Sequence, residues 1–421
     1  MSLLPKSVDV VVIGAGQAGL SLSRCLHTAG VEHLVLERHR VADSWRSQRW
    51  DSFCLVTPNW SVRLAQQAYA GDDPDGFMSG ESVFNYLNAY AQQTRAAISC
   101  GVEVMRVTPN PQGWTIATQC GQQIRTRVVV VATATHQSPK LPELAHQCQN
   151  VVQVHASAYR SPAMLPTGRT LVVGSGQSGM QIALELRSAG REVLLATSQV
   201  GRVPRRYRGQ DIIAWQAAIG FLDRHHSELE SAAARFAPDP QLSGANGGQT
   251  LDLRDFAARG ISLAGRLAEV RDNRLTFSDD LLPNIHYADA FSKRIADRVD
   301  AHIDHLPKAV RADVPAPEAV VASAPMPGAV VDAALGDGEI ESIVWATGFR
   351  HDFSWIEAEA VFDEFGYPRQ SLGRTVAPGL HFAGLNYVEH RRSGILYGAG
   401  VEATQLAEVI TSDLCATALA P

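Results

Sequence analysis

Apolar runs alternate with helix-spaced stretches along the chain. Val8–Ile13 is almost continuously apolar, which predicts a strand buried on both faces of a parallel sheet. A glycine-containing turn follows. Ala18–Ala29 then places Leu20, Leu22, Cys25 and Leu26 at helical spacing, with Gly30 as the stop. His33–Glu37 predicts a second strand, completing a βαβ unit. Further on, Ser79–Ala97 predicts a helix, Val102–Val107, Gly113–Thr118 and Gln123–Arg127 short strands, and Val128–Ala132 a buried strand. After Pro139 and Pro142 the opening pattern restarts. Thr170–Val173 predicts a strand, Gly174–Gly179 a turn, Gln181–Ser188 a helix and Glu192–Ala196 a strand. Ile340–Ala346 and Leu380–Ala383 are late strands, and Gly398–Ile410 is a final helix. Gln210–Ser323 mixes helix-like pieces and loops without a clear period, and Val314–Val331 reads as a surface excursion rich in Pro and Ala.

The two turns carry the same spacing of glycines: Gly14-Ala15-Gly16-Gln17-Ala18-Gly19 and Gly174-Ser175-Gly176-Gln177-Ser178-Gly179. In such a strand–turn–helix unit the first glycine permits the bend. The second lets the backbone approach a pyrophosphate, and the third lets helix and sheet pack closely. The phosphates then rest on amides at the helix N-terminus. The expected fold is therefore α/β, with two Rossmann-like dinucleotide-binding domains. The second lies between the first βαβ unit and the C-terminal strands, so one domain is inserted in the other. The expected boundaries are 1–155 for the first part of one domain, 156–338 for the inserted one and 339–421 for the return.

The residues after each unit make the two turns unequal. Glu37 ends the first unit's second strand at roughly the 20-residue spacing of a ribose-binding acid. A carboxylate there suits an unphosphorylated ribose, as in FAD. The second unit ends in Thr197-Ser198-Gln199, without an acid, and Arg202, Arg205, Arg206 and Arg208 follow. Arginines and a hydroxyl suit a 2′-phosphate, so this seat reads as one for NADPH. A solvated glutamate at a strand end and a solvated basic loop are the ordinary alternatives.

Bulk composition narrows the partners. The 421-residue chain is 45% hydrophobic and carries a net charge of −6, which allows a large core and argues against nucleic acid or an acidic membrane as partner. No apolar run reaches the roughly 18 residues of a membrane span, and a cytoplasmic protein is expected. The six cysteines form neither a C-x-x-C pair nor a zinc spacing, so no metal is expected.

On these motifs the chain resembles the class B flavin-dependent monooxygenases, the group around the flavin-containing monooxygenases. The likeness is carried by both glycine turns, by Trp45-Arg46-Ser47-Gln48-Arg49-Trp50-Asp51, and by the strand ends Val131-Ala132-Thr133-Ala134 and Ala346-Thr347-Gly348. That group's linker signature is half kept. His155 and Tyr159 are present, whereas Gln149 and Val151 replace its Phe and Gly. The resemblance implies that NADPH passes hydride to FAD. The reduced flavin forms a C4a-(hydro)peroxide with O2 and oxygenates a small organic substrate. Asn59 and His390 are the candidate catalytic residues, Glu389 being a proton-handling neighbour of His390. The candidate cofactor contacts on the first turn are Gly14, Gly16, Gln17, Ala18, Gly19, Glu37 and Arg38. Trp45, Arg46, Trp50, Thr57, Val104, Ala132, Thr133, Gly384 and Asn386 are added from segments that run beside a flavin in similar proteins. On the second turn they are Gly174, Gly176, Gln177, Ser178, Gly179, Ser198, Arg202, Arg205, Thr347 and Gly348. For His155 a domain-positioning role is favoured over acid–base work.

A flavin disulfide reductase would need a cysteine pair beside the flavin, and the sequence has none. An NADPH-dependent flavin oxidoreductase or oxidase that passes electrons on without oxygenation is the remaining alternative. Homo-oligomerisation stays open.

Overall fold

A computed structural model describes residues 3–94, 97–321, 324–336 and 338–418. Its first sheet is built around β1 (Ser7–Ile13), flanked by β2 (His33–Glu37) on one side. On the other side lies β6 (Gln123–Val131), and all three run parallel. Helix α1 (Gln17–Thr28) is the crossover between β1 and β2. Alternate residues of β1 enter different cores. Val10 and Val12 pack under α1, α2 (Gly80–Thr94) and the C-terminal helix. Val11 and Ile13 pack on the opposite face with Trp114, Ile116 and Phe382. Both faces are covered, which is why the strand reads as a continuous apolar run.

The sheet continues past β2 to β3 (Ala97–Cys100). The antiparallel strands β4 (Val104–Asn110) and β5 (Gly113–Thr118) join it through β6. Here the structure corrects the sequence reading. The helix expected to reach Ala97 stops within the described residues at Thr94, residues 95 and 96 lying outside them. Ala97–Cys100 is an unpredicted edge strand. The two strands expected over 123–132 are one.

The second sheet repeats the plan. β8 (Arg169–Val173) is followed by α3 (Gln177–Ser188) and β9 (Val193–Ala196). Next to β9 lies β10 (Ser262–Ala264). On the other side of β8 come β11 (Ile340–Trp345) and then β7 (Val152–His155), all parallel. This moves the expected boundaries. Residues 152–155, expected in the first domain, and 340–345, expected in its return, both pair within the second sheet. The apolar run over 340–346 predicted a strand without saying in which sheet, whereas the half-exposed 152–155 was not predicted as a strand. β12 (Leu380–Phe382) returns to the first sheet, pairing with β6, and the short strands Gln370–Ser371 and Arg374–Thr375 extend that edge. β12 leads into α6 (Ala399–Ala418), which packs on α1. The insertion topology is thus as read.

The region without a clear period contains α4 (Ile212–Ala218) and the long α5 (Leu281–Asp304). Pro283 sits in the first turn of α5, where a missing amide costs no helical hydrogen bond. Ile295, Ala296, Val299 and Ile303 of α5 close a core with Ile212, Ile213, Trp215 and Val203. Residue 323, the end of that region, and residue 322 lie outside the described residues.

Candidate functional site

The two glycine turns are near copies. Gly14 has φ +109°, and a Cβ there would lie 2.6 Å from the carbonyl oxygen of Ala132. Gly174 has φ +107° and the same clash, at 2.5 Å, with the carbonyl oxygen of Ala346. The strand-end motifs at 132–134 and 346–348 therefore back the two turns. In the third position, a Cβ at Gly19 or Gly179 would fall 2.0 or 1.8 Å from the carbonyl of Gly14 or Gly174. The middle glycines differ. Gly16 and Gly176 have ordinary φ, and a Cβ on either meets nothing within 4 Å. Neither helix that they precede has a side-chain cap. Each turn thus offers open space beside uncapped helix amides, which suits a diphosphate.

Glu37 reinforces the first seat. Its Oε2 accepts from the Ala15 amide at 2.9 Å and its Oε1 from the His39 amide at 2.9 Å. The carboxylate is fixed against the turn, and each oxygen keeps a further lone pair for a ribose hydroxyl. Val102 donates to the Glu37 carbonyl at 2.9 Å, which brings the start of β4, with Val104, beside the same end of the seat. Arg38 is exposed.

Other first-seat candidates gather around the N-terminus of α1. The Gln17 amide donates to the Gly394 carbonyl at 3.1 Å, and the Trp45 indole donates to Gln17 Oε1 at 3.3 Å. Gly384, at φ +69°, rests directly on Ala18, where a Cβ would lie 2.5 Å from the Ala18 Cβ. Gln17, Ala18, Gly384, Gly394, Ala399 and Glu402 line a cleft between the first turns of α1 and α6. Asn386 is half-buried nearby, its carbonyl accepting from the Tyr367 hydroxyl at 2.5 Å. Thr133 Oγ1 accepts from Gln137. Arg46 is exposed and lies over the Phe84 ring, and Thr57 is half-buried. Trp50 goes elsewhere: it is buried in the core of the second sheet with Tyr159 and Met180.

Asn59 is buried and its side chain is engaged. Nδ2 donates to the Asp73 carbonyl at 2.9 Å, and Oδ1 accepts from the Met78 amide at 2.7 Å. It pins residues 73–78 against the 50–60 segment. Glu389 is buried and pairs not with His390 but with His225, Nε2 to Oε2 at 2.9 Å. Burial opposes its ionisation, but the Leu372 amide and His225 hold its carboxyl below the usual range. The His390 ring is half-buried, 5.6 Å from the ring of His225.

The second seat needs a correction. Arg202 and Arg205 were expected to receive a 2′-phosphate, but both are only 3% exposed and committed inside the protein. Arg202 lies 3.1 Å from Asp252 and 2.6 Å from Asp289, and donates to the Val320 carbonyl at 2.9 Å. Arg254 shares Asp289 at 2.5 Å. Burial resists charge on Asp289, yet the two arginines hold its carboxyl low. Arg205 pairs with Asp211 at 2.5 Å and donates to the Val56 carbonyl at 2.8 Å, tying the inserted domain to the 50–60 segment. Buried guanidinium groups with these partners cannot also take a phosphate. Spacing from the glycine turn gave proximity in sequence but not the acids on α5 and ahead of α4.

Gln177 donates to the Pro240 carbonyl at 2.9 Å, Ser178 is half-buried, and Ser198 donates its amide to Ser175 Oγ at 3.0 Å. Thr347 Oγ1 donates to the Lys140 carbonyl, and the Gly348 carbonyl lies 2.9 Å from His155 Nε2. His155 Nδ1 meets Ser157 Oγ at 2.9 Å, so its ring is a fastener of the second sheet's edge, in keeping with a positioning role. Burial lowers its pKa.

Glu402 escaped the sequence reading. It sits in the first turn of α6, hydrogen-bonded by Ser393 Oγ, and burial pushes its carboxyl up to about 7. A glutamate in a first helical turn is common, so only the surrounding apolar packing marks it. Its folded pKa lies above its ordinary value. The unfolded chain therefore gives up this proton first as pH rises, and stability falls between about pH 4.5 and 7 before levelling. Glu402→Gln is expected to remove that part of the slope. Melting temperature followed from pH 5 to 8 should drop less in the variant, and an identical slope would contradict the assignment.

With this geometry in place, comparisons with known proteins give a consistent picture. The family described as pyridine nucleotide-disulphide oxidoreductase matches residues 11–210. An oxidoreductase of Geobacillus kaustophilus, described as uncharacterized and CzcO-like, is 29% identical over 95% of this chain and 97% of its own. A probable indole-3-pyruvate monooxygenase of Arabidopsis thaliana, YUCCA1, is 31% identical over 47% of this chain and 49% of its own. The flavin-containing monooxygenase of Stenotrophomonas maltophilia has the same fold, with a TM-score of 0.66 at 19% identity over 98% of this chain and 100% of its own. No helix among the described residues is long and apolar enough to cross a membrane.

Proposed function

We propose that the chain is an FAD- and NADPH-using oxidoreductase of the flavin-dependent monooxygenase group that consumes NADPH and O2 to oxygenate a small organic molecule, a reading supported by the relatives and the shared fold. The observation that carries this is the pair of open, uncapped glycine turns, one with an acid and one without. When bound, the flavin supplies the redox chemistry, taking hydride from NADPH and delivering electrons to dioxygen.

The chain's own residues bind, orient and shield. The amides at the start of α1 hold the FAD diphosphate, and Glu37 takes the ribose. The amides at the start of α3 hold the NADPH diphosphate. Asn59 acts by fixing residues 73–78 against the 50–60 segment, a wall that keeps water from the reacting centre. Glu402, with a pKa of about 7, holds or releases a proton at the cleft between α1 and α6. His390 stands at the edge of the C-terminal loop beside the His225–Glu389 pair.

With Arg202 and Arg205 withdrawn, recognition of the 2′-phosphate falls to Ser198 and Arg266. Ala196 of β9 is in register with Ala264 of β10. Two residues past the end of each strand stand Ser198 and Arg266, the latter's side chain 70% exposed, with Asp280 at 3.5 Å as its one ion-pair partner among the described residues. Arg266→Ala is expected to raise the KM for NADPH about tenfold, the worth of one charged hydrogen bond, while leaving that for NADH unchanged. Anaerobic bleaching of the flavin by each nucleotide reads this out, and equal effects would remove Arg266 from the seat. A cytoplasmic location and a small organic substrate belong to the same reading.

A further inference from the structure

We propose that His225, His226 and Glu389 form a binding site for a divalent cation of the zinc class. Their ligand atoms all lie within 4.8 Å of one another. Ligands of a tetrahedral zinc ion stand about 3.3 Å apart, given bond lengths of about 2.0 Å. His225 Nε2 and Glu389 Oε2, at 2.9 Å, are already near that separation. Rotation of the half-buried His226 ring closes the remainder. Among the described residues no hydrogen bond engages that ring.

The surroundings are those of a metal site. Glu389 is buried, and its second oxygen is anchored by the Leu372 amide at 2.5 Å. His225 Nδ1 lies 2.7 Å from Ser227 Oγ and 3.2 Å from the Ser227 amide. A ring whose Nδ1 carries the proton toward Ser227 Oγ presents Nε2 as the ligand atom. A partner on the far ring nitrogen is what orients a ligating histidine. Of the nearby arginines, Arg391 pairs with Asp239, Arg392 with Asp223 and Arg235 with Asp363, while Arg224 donates to the Glu228 carbonyl. Two imidazoles and one carboxylate select zinc-like ions over calcium or magnesium.

The site joins two parts of the molecule. His226 donates its amide to the Glu389 carbonyl at 2.8 Å, and Arg391 donates to the Arg224 carbonyl at 2.9 Å. The ion thus fastens the inserted domain's 222–228 segment to the C-terminal loop that borders the α1–α6 cleft.

Purified FAD-loaded protein, first stripped with chelator, is titrated with Zn2+ by calorimetry and with Co2+ by visible absorbance. One ion per chain is expected, with a tetrahedral cobalt band. His226→Gln should weaken binding at least tenfold, and Ser227→Ala about tenfold through loss of the orienting contact. Both sites are partly exposed, so the variants should retain the wild-type melting temperature in the absence of metal. Failure of wild-type protein to bind either ion at micromolar concentration, or unchanged binding in His226→Gln, would overturn the proposal.

Discussion

Arg202→Ala is expected to cost roughly 3–5 kcal/mol of stability, the usual result of removing one partner from a buried charge cluster. It is not expected to shift the preference for NADPH over NADH. Arg202 and Arg254 balance Asp252 and Asp289 in a region where Arg202 is 3% and Asp252 2% exposed. Asp252 also caps the helix 253–258, its Oδ1 accepting from the Arg254 amide at 2.8 Å. Removing the guanidinium leaves one aspartate without a counter-charge and the other with half of its partners. Urea denaturation should show the midpoint move sharply down. A folded variant of wild-type stability with a raised KM for NADPH alone would restore Arg202 to the cofactor seat.

The second large effect separates the two seats. Gly176→Asp is expected to abolish reduction by NADPH while leaving a folded, yellow, FAD-loaded protein. Gly176 has φ −67°, and its Cβ would meet nothing within 4 Å, so the substitution brings neither strain nor clash. It does place a carboxylate where the diphosphate must rest on the first amides of α3, capping the helix with the wrong anion. A loss of at least a hundredfold in NADPH affinity is expected, with reduction by dithionite unchanged. Gly16→Asp should do the converse, giving folded protein that fails to retain FAD. Were Gly176→Asp to release FAD and keep its response to NADPH, the assignment of the two seats would be reversed.

Much of this architecture was legible because each signal was local. The apolar runs at 8–13, 33–37 and 170–173 and the glycines between strand and helix define the two βαβ units without any long-range information. The insertion followed from their order. What escaped the sequence was set by pairing between distant segments. Ile340–Trp345 reads as a buried strand and Val152–His155 does not, and only the ladders of Ile340–Trp345 with Val152–His155 on one side and Arg169–Val173 on the other assign both to the second sheet. The arginines after the second unit failed for the same reason. Asp289 lies 87 positions beyond Arg202, and no spacing rule connects them. The stripe of buried residues in α5 was within reach, since Ile285, Ala288, Ser292, Ile295 and Val299 recur at three and four. Interleaved Asp, Arg and Lys and the proline at its start hid it. Glu402 and the His225–Glu389 pair depend on loop placement alone.

The central claim is that electrons entering from NADPH leave through oxygen in a shielded site. The most direct measurement reduces the FAD-loaded protein with one equivalent of NADPH without air, then mixes it with oxygenated buffer and follows the flavin spectrum. The account predicts bleaching by NADPH and a return in two phases, with an absorbing species between them that matches neither reduced nor oxidised flavin. A single-phase return, with one equivalent of hydrogen peroxide released per NADPH, would contradict it and make the protein an oxidase.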